Sequence, residues 1–226
     1  MEWFSTFYET YGDLLIKGTL DSLYMTSIST LLAYVFGIPL GVLVVLTAQN
    51  GLHPNKAVNT ILGWIINIGR SIPFIILLFA IIPFTRLVAG TSLGVKGAIV
   101  PLVVTAVPFV ARMVEQSLAD IDAGLVEAGQ SFGANTWQIV YKVYLKESLP
   151  SIIRGAAITF ISLFGYVAMA GCVGAGGLGD IAIRYGYQRY KPDVMVVAVI
   201  LCVVLVQLVQ TIGDFIARKV DKRVVR

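Results

Sequence analysis

Long apolar runs separated by short polar breaks set the pattern of this chain. Five of them, at about 22–47, 57–84, 95–115, 151–173 and 193–216, reach the roughly 20 residues that a helix needs to cross a bilayer. Lipid offers the backbone no hydrogen-bonding partner, so each run predicts a helix that satisfies its own amides. Residues 1 to about 20 mix polar and aromatic positions, with Trp3, Phe4, Phe7, Tyr8 and Tyr11, and predict a separate short helix at the membrane interface. Asn50-Gly51 and Pro54 mark a turn over 48–56, and a Gly-containing loop is expected over 85–94. A Gly- and Tyr-rich external loop is expected over 174–191. Breakers also fall inside runs: Pro39 between Gly37 and Gly41, the stretch Arg70-Ser71-Ile72-Pro73, and the pair Pro101 and Pro108.

The most polar long segment between these runs is itself patterned. Leu125, Ala128, Gly129 and Phe132 fall at i, i+3, i+4 and i+7, which predicts a short helix with one apolar face whose centre is small. Such a face admits close approach of another backbone. Gly133 ends that helix, Asn135 or Thr136 caps a second, and Trp137, Val140, Tyr141 and Tyr144 repeat the helical spacing. The expected unit is a helix, a sharp turn and another helix.

This segment resembles the signature loop of ABC-importer permease subunits: Glu-Ala-Ala, three residues, Gly, nine residues, Ile, any residue, Leu-Pro. Glu127, Ala128, Gly133 and Leu145 match it, with Val143 in the Ile place. Gly129 replaces the second Ala and Lys146 stands where Pro is usual, while a Leu-Pro pair follows one turn later at Leu149-Pro150. Almost the whole chain is similar to permeases of methionine-uptake ABC importers, through Arg70-Ser71-Ile72-Pro73-Phe74, Ile99-Val100-Pro101, Ala111-Arg112-Met113-Val114-Glu115 and Val173-Gly174-Ala175-Gly176-Gly177-Leu178-Gly179. The resemblance implies an all-α membrane protein of the type I ABC importer permease fold, a single domain of five transmembrane helices with a cytoplasmic coupling helix-turn-helix at about 119–148. It also implies an ATPase-coupling set of Glu127, Ala128, Gly129, Gly133, Leu145, Leu149 and Pro150. Two ATPase subunits carrying ATP and Mg, and an extracytoplasmic methionine-binding protein that delivers the solute, are the partners it implies.

Composition agrees with a membrane location. The chain is 57% hydrophobic and 13% charged, against roughly a quarter charged in soluble domains. A net charge of +4 does not point to nucleic acid, because the basic excess gathers at Arg218, Lys219, Lys222, Arg223 and Arg226, a cluster suited to the cytoplasmic membrane surface. Five spans put the termini on opposite sides. The larger share of the 17 Lys and Arg residues then lies with that cluster and with Lys56, Arg112, Lys142, Lys146 and Arg154, so the C-terminus and the signature segment are expected in the cytoplasm and the N-terminus outside. Neither a basic N-terminal stretch nor a small-residue cleavage site precedes Lys17, which predicts no removable signal.

Catalytic and cofactor chemistry find little support. Cys172 and Cys202 lie in apolar segments and read as small hydrophobes, and the single histidine, His53, has no neighbouring ligands for zinc. Gly174-Ala175-Gly176-Gly177-Leu178-Gly179 carries the spacing of a dinucleotide site but follows a membrane helix instead of a strand, so it reads as a flexible external turn. No Gly-x-x-x-x-Gly-Lys-Ser/Thr occurs, so the chain has no P-loop of its own and is not expected to be an enzyme or to bind a cofactor. Arg70 either lines a pathway beside a broken helix or pairs with a carboxylate such as Glu115. Gln207, Gln210 and Asp214 form one polar stripe, for interhelical bonding or for a conduit. Met169 and Tyr166 lie deep in the fourth run, where Met169 either packs or, by the resemblance, closes a gate at a dimer axis.

Five helices make a poor enclosure for a solute, so a homodimer is the expected transporting unit. The expectation is therefore the permease of an ATP-driven importer for L-methionine, with D-methionine also in range. Another small amino acid or sulfur compound is the alternative substrate. An ion-coupled secondary transporter is the rival class, opposed by the absence of an internal repeat and by the position of Glu115 and Asp214 near span ends.

Overall fold

A computed structural model describes residues 2–221; Lys222, Arg223 and Arg226 of the basic cluster, and the side chains of Trp3 and Phe4, lie outside the described residues. All regular structure among them is helical: α1 (Glu2–Thr47), α2 (Lys56–Ser71), α3 (Phe74–Ala80), α4 (Ile82–Ala89), α5 (Gly94–Ala119), α6 (Ala123–Ser131), α7 (Thr136–Ile139), α8 (Leu145–Glu147), α9 (Leu149–Gly171), α10 (Gly177–Ile181) and α11 (Pro192–Val220), with π-helical segments at Val140–Tyr144 and Ala182–Gln188. By length and apolarity α1, α5, α9 and α11 can each cross a membrane, and α2 with α3 makes a fifth span if that pair, bent by 101°, is counted as one.

Three expectations need correction. The N-terminal residues do not form a separate interfacial helix; they are the first turns of α1, which is 46 residues long. Its polar positions do not break it because the hydroxyls of Thr10, Thr19, Thr26 and Thr30 each donate to the carbonyl four residues back. The run at 57–84 is interrupted where the breaker Arg70-Ser71-Ile72-Pro73 falls. Pro73 lacks a backbone donor and disfavours helical backbone at Ile72, so the chain turns between α2 and α3, and it breaks again at Ile81 ahead of Pro83. The second correction is at 85–94, whose first half, 85–89, belongs to α4; that helix ends at Gly90 in the left-handed region.

The third correction concerns 174–191, which is not a flexible loop. The chain folds into two compact units, and this stretch builds the core of the first, made of 1–31, 72–105 and 160–209. Leu178 and Ile181 of α10 are buried with Leu15, Phe164 and Val194. The Leu178 N–H donates to the buried Ser22 Oγ at 2.9 Å. Gly179 crosses α9 so closely that a Cβ there would collide with the Ala168 backbone. The glycines that mimic a dinucleotide motif thus let two backbones meet.

The second unit comprises 32–71, 106–159 and 210–226. Gly37 and Gly41 of α1 face Val110, Ala111 and Val114 of α5, and Val44, Ile66 and Ala111 form a buried cluster. Tyr34 Oη donates to the Ile152 carbonyl, Ser117 and Ser151 hydroxyls meet at 2.8 Å, and Arg154 pairs with Asp221 at 3.1 Å, so α1, α5 and the end of α11 are each tied to α9.

Gly179→Val should lower stability by about 1–3 kcal/mol, the usual cost of overpacking a closed site. At Gly63, where a Cβ meets nothing within 4 Å, Ala should be neutral or stabilising by up to about 1 kcal/mol. Thermal unfolding of the purified protein in detergent checks both.

Candidate coupling surface and pathway residues

The second unit carries a short helical pair between α5 and α9, built by two interlocking end structures. Asp122 caps α6, accepting from the Gly124 N–H at 2.7 Å. At the other end Gly133 adopts φ +77°. Its N–H reaches the Gln130 carbonyl at 2.9 Å while the Ala134 N–H reaches the Gly129 carbonyl at 3.1 Å. These are the two bonds of a Schellman motif, and they need a left-handed residue at this position. Asn135 then begins α7 with a capping box: its Oδ1 accepts from the Gln138 N–H and its own N–H donates to Gln138 Oε1, each at 2.9 Å. Of the two caps considered from sequence, Asn135 is the one used.

The second helix of the pair is not one α-helix. After α7 it widens into the π-helical Val140–Tyr144, and Val140 and Tyr144 turn inward while Trp137 and Tyr141 stay exposed. Burial pushes the Tyr144 phenol up, so it stays protonated. Lys146 is exposed in α8, and the break falls at Ser148, just before Leu149-Pro150. Pro150 is the second residue of α9, where a missing N–H costs nothing.

The expected coupling residues gather on this pair and its exit. Ala128 is exposed. Gly129 faces Ile139 and Val143 at a spacing where a methyl would make ordinary contact, so Gly in place of Ala leaves the packing intact. Glu127 lines a cleft of about 450 Å³ with Gln130, Tyr144 and the 48–52 turn. Pro150 lines another, of about 210 Å³, with Asp120, Glu147, Arg154 and Asp221. Leu145 is half-buried and Leu149 exposed. Three aromatic side chains dominate the outer face: Phe132 at 91% exposure, Trp137 at 81% and Tyr141 at 75%. Large exposed aromatics on a rigid element mark a contact surface. None of the three was among the expected site residues, although the i, i+4 spacing of Trp137 and Tyr141, offset from Val140 and Tyr144, carries the signal.

The pathway candidates are placed differently. In the first unit Tyr166 stacks on Phe74 with ring centroids 4.9 Å apart and planes 12° from parallel, and Met169 is half-exposed. Arg70, in the second unit, is exposed at the end of α2 and does not pair with Glu115. That carboxylate is held by Arg112 at 2.7 Å, whose other nitrogen donates to Asn67 Oδ1. Arg112, one turn away on the same helix, wins because i, i+3 neighbours face each other. On α11 Gln210 donates to Asp214 at 3.0 Å, which closes part of the polar stripe on itself.

Several helices apolar enough to cross a membrane, with a compact helical pair set between α5 and α9, give this chain the build of a membrane transport subunit. Residues 33–226 match the family described as binding-protein-dependent transport system inner membrane component, and the chain belongs to that family. It is 49% identical to the probable D-methionine transport system permease protein MetI of Vibrio cholerae, over 98% of this chain and 97% of that one. It is 44% identical to the methionine import system permease protein MetP of Bacillus subtilis, over 80% and 82%. Among solved structures, one described as an inward-facing conformation of the MetNI methionine ABC transporter matches with a TM-score of 0.93 and 48% identity, covering 95% of this chain and 99% of that one. The fold is that of type I ABC importer permeases.

Asn135→Ala removes the reciprocal cap and should cost about 1 kcal/mol locally. Amide hydrogen exchange over 135–140 should accelerate about fivefold while exchange in α5 and α9 is unchanged.

Proposed function

We propose that this chain is the membrane subunit of an ATP-driven importer of methionine. In this reading two copies assemble about a twofold axis in the bacterial cytoplasmic membrane, with the N-terminus outside and the coupling pair in the cytoplasm. A separate ATPase subunit binds ATP and Mg and receives α6 and α7 in a surface cleft. An extracytoplasmic binding protein delivers the solute. Closure of the paired ATPases on ATP moves the two helical pairs as levers, and the spans alternate between inward-open and outward-open arrangements.

The observation that carries the reading is the capped helical pair with Phe132, Trp137 and Tyr141 largely exposed. A lever must transmit force without bending, and the Schellman turn followed by the capping box supplies that stiffness. Glu127, Ala128 and Gly129 provide the close-approach face, Gly133 the turn, and Leu145, Leu149 and Pro150 the rigid exit into α9. Methionine as solute rests on the names of the full-length relatives. Tyr166 and Met169 are proposed to lie along the conduit or its gate. Arg70, exposed and without a carboxylate partner here, is proposed to lie along the pathway.

Vesicles holding this chain with its cognate ATPase and binding protein should take up labelled L-methionine saturably and only with ATP, with unlabelled methionine as competitor. Uptake without ATP contradicts the mechanism; ATP-dependent uptake of a different solute contradicts the substrate. Gly133→Leu forces a branched side chain into a left-handed turn at a cost of about 1–2 kcal/mol. It should cut ATPase binding or transport about tenfold while leaving a folded, inserted dimer, and normal transport by this variant contradicts the lever.

A further inference from the structure

His53, the single histidine of the chain, belongs to none of the motifs above. Its Nε2 lies 2.7 Å from Thr136 Oγ1, 83 residues further along the chain. Both ends of that bond stand on stiff supports. On one side the His53 N–H donates to the Leu46 carbonyl at 2.9 Å and the Asn55 N–H to the Thr47 carbonyl at 3.0 Å, while Asn59 Nδ2 donates to the Val44 carbonyl at 2.8 Å. The 48–55 turn is thereby fastened back onto the last turns of α1. On the other side Thr136 is the first residue of α7, between the capping residue Asn135 and the exposed Trp137. The same turn and α6 both line the 450 Å³ cleft, so core packing does not fill the space beside them.

We infer that the His53–Thr136 hydrogen bond is a strut that makes α7 move together with α1 and α2, and that His53 is a positioning residue for energy coupling. This rests on the reading of α6 and α7 as the ATPase-driven lever. The chemistry suits a strut, because a hydroxyl can give or take the proton and so bonds to Nε2 of either neutral imidazole tautomer. With the strut present, displacement of α7 pulls on the end of α1 and the start of α2 directly. Without it, α7 loses this direct tie to the 48–55 turn, and the ATPase cycle proceeds while less of its motion reaches those helices.

The test uses the assembled transporter in vesicles, reading labelled methionine moved per ATP hydrolysed. His53→Ala should lower this ratio about fivefold, the scale of one net hydrogen bond, with ATP hydrolysis and subunit assembly unchanged, and Thr136→Val should lower the ratio to the same extent. Thr136→Ser, which keeps the hydroxyl, should retain the wild-type ratio. The double variant should be no worse than either single one, as two halves of one interaction require. Both side chains lie at an exposed bond, so their truncation opens no core cavity. Wild-type ratios in the single variants overturn the strut, as does additive loss in the double variant. Loss of ATPase assembly in His53→Ala also overturns it, because the bond would then be shaping the docking surface instead of transmitting its motion. A wild-type complex that moves no solute with ATP overturns the transport reading and the strut with it.

Discussion

The turn between α6 and α7 is the constraint on which the rest of the account depends. A helix end leaves backbone groups without partners, and here two ends meet within four residues. The Gly133 and Ala134 amides satisfy the end of α6, and the Asn135–Gln138 exchange satisfies the start of α7. With the backbone satisfied in this way, the pair has little freedom to flex at its own apex. A stiff apex is what allows Phe132, Trp137 and Tyr141 to be exposed without collapsing onto the body of the unit. The π-helical widening at Val140–Tyr144 then divides the second helix, turning Val140 and Tyr144 inward and leaving Tyr141 out.

A related rule, that polar groups away from water need partners, acts elsewhere in the fold. Threonine hydroxyls fold back within α1, and Ser22 accepts the Leu178 amide where α10 begins. Where proline removes a donor at Pro73, the chain breaks and turns instead of continuing. In the first unit that break positions Phe74 against Tyr166, so a helix interruption and an aromatic stack coincide at residues proposed for the conduit.

Much of this was legible in the sequence, and what was hidden has physical causes. Apolar runs identified the long helices, and Gly133 with Asn135 identified the turn, because both signals are local. The dissection of 57–84 into three helices was only half read: Pro73 announced one break, while Pro83, which marks the start of α4 after Ile81, was not among the expected breakers. Composition misled at 174–191, where glycines read as flexibility and instead let α9 and α10 cross closely. Partners distant in sequence were least accessible. His53 looked isolated until folding brought Thr136 beside it; the Arg112 partner of Glu115, by contrast, is only three residues away and was passed over for Arg70.

The central claim is that the outward aromatic face is where force enters this chain. A photo-crosslinking amino acid at position 137, irradiated in the assembled transporter, tests it most directly. The account predicts cross-links to the ATPase subunit in high yield, both with and without ATP, because the lever stays seated as it moves. Label recovered only on lipid, or only within this chain, would contradict it.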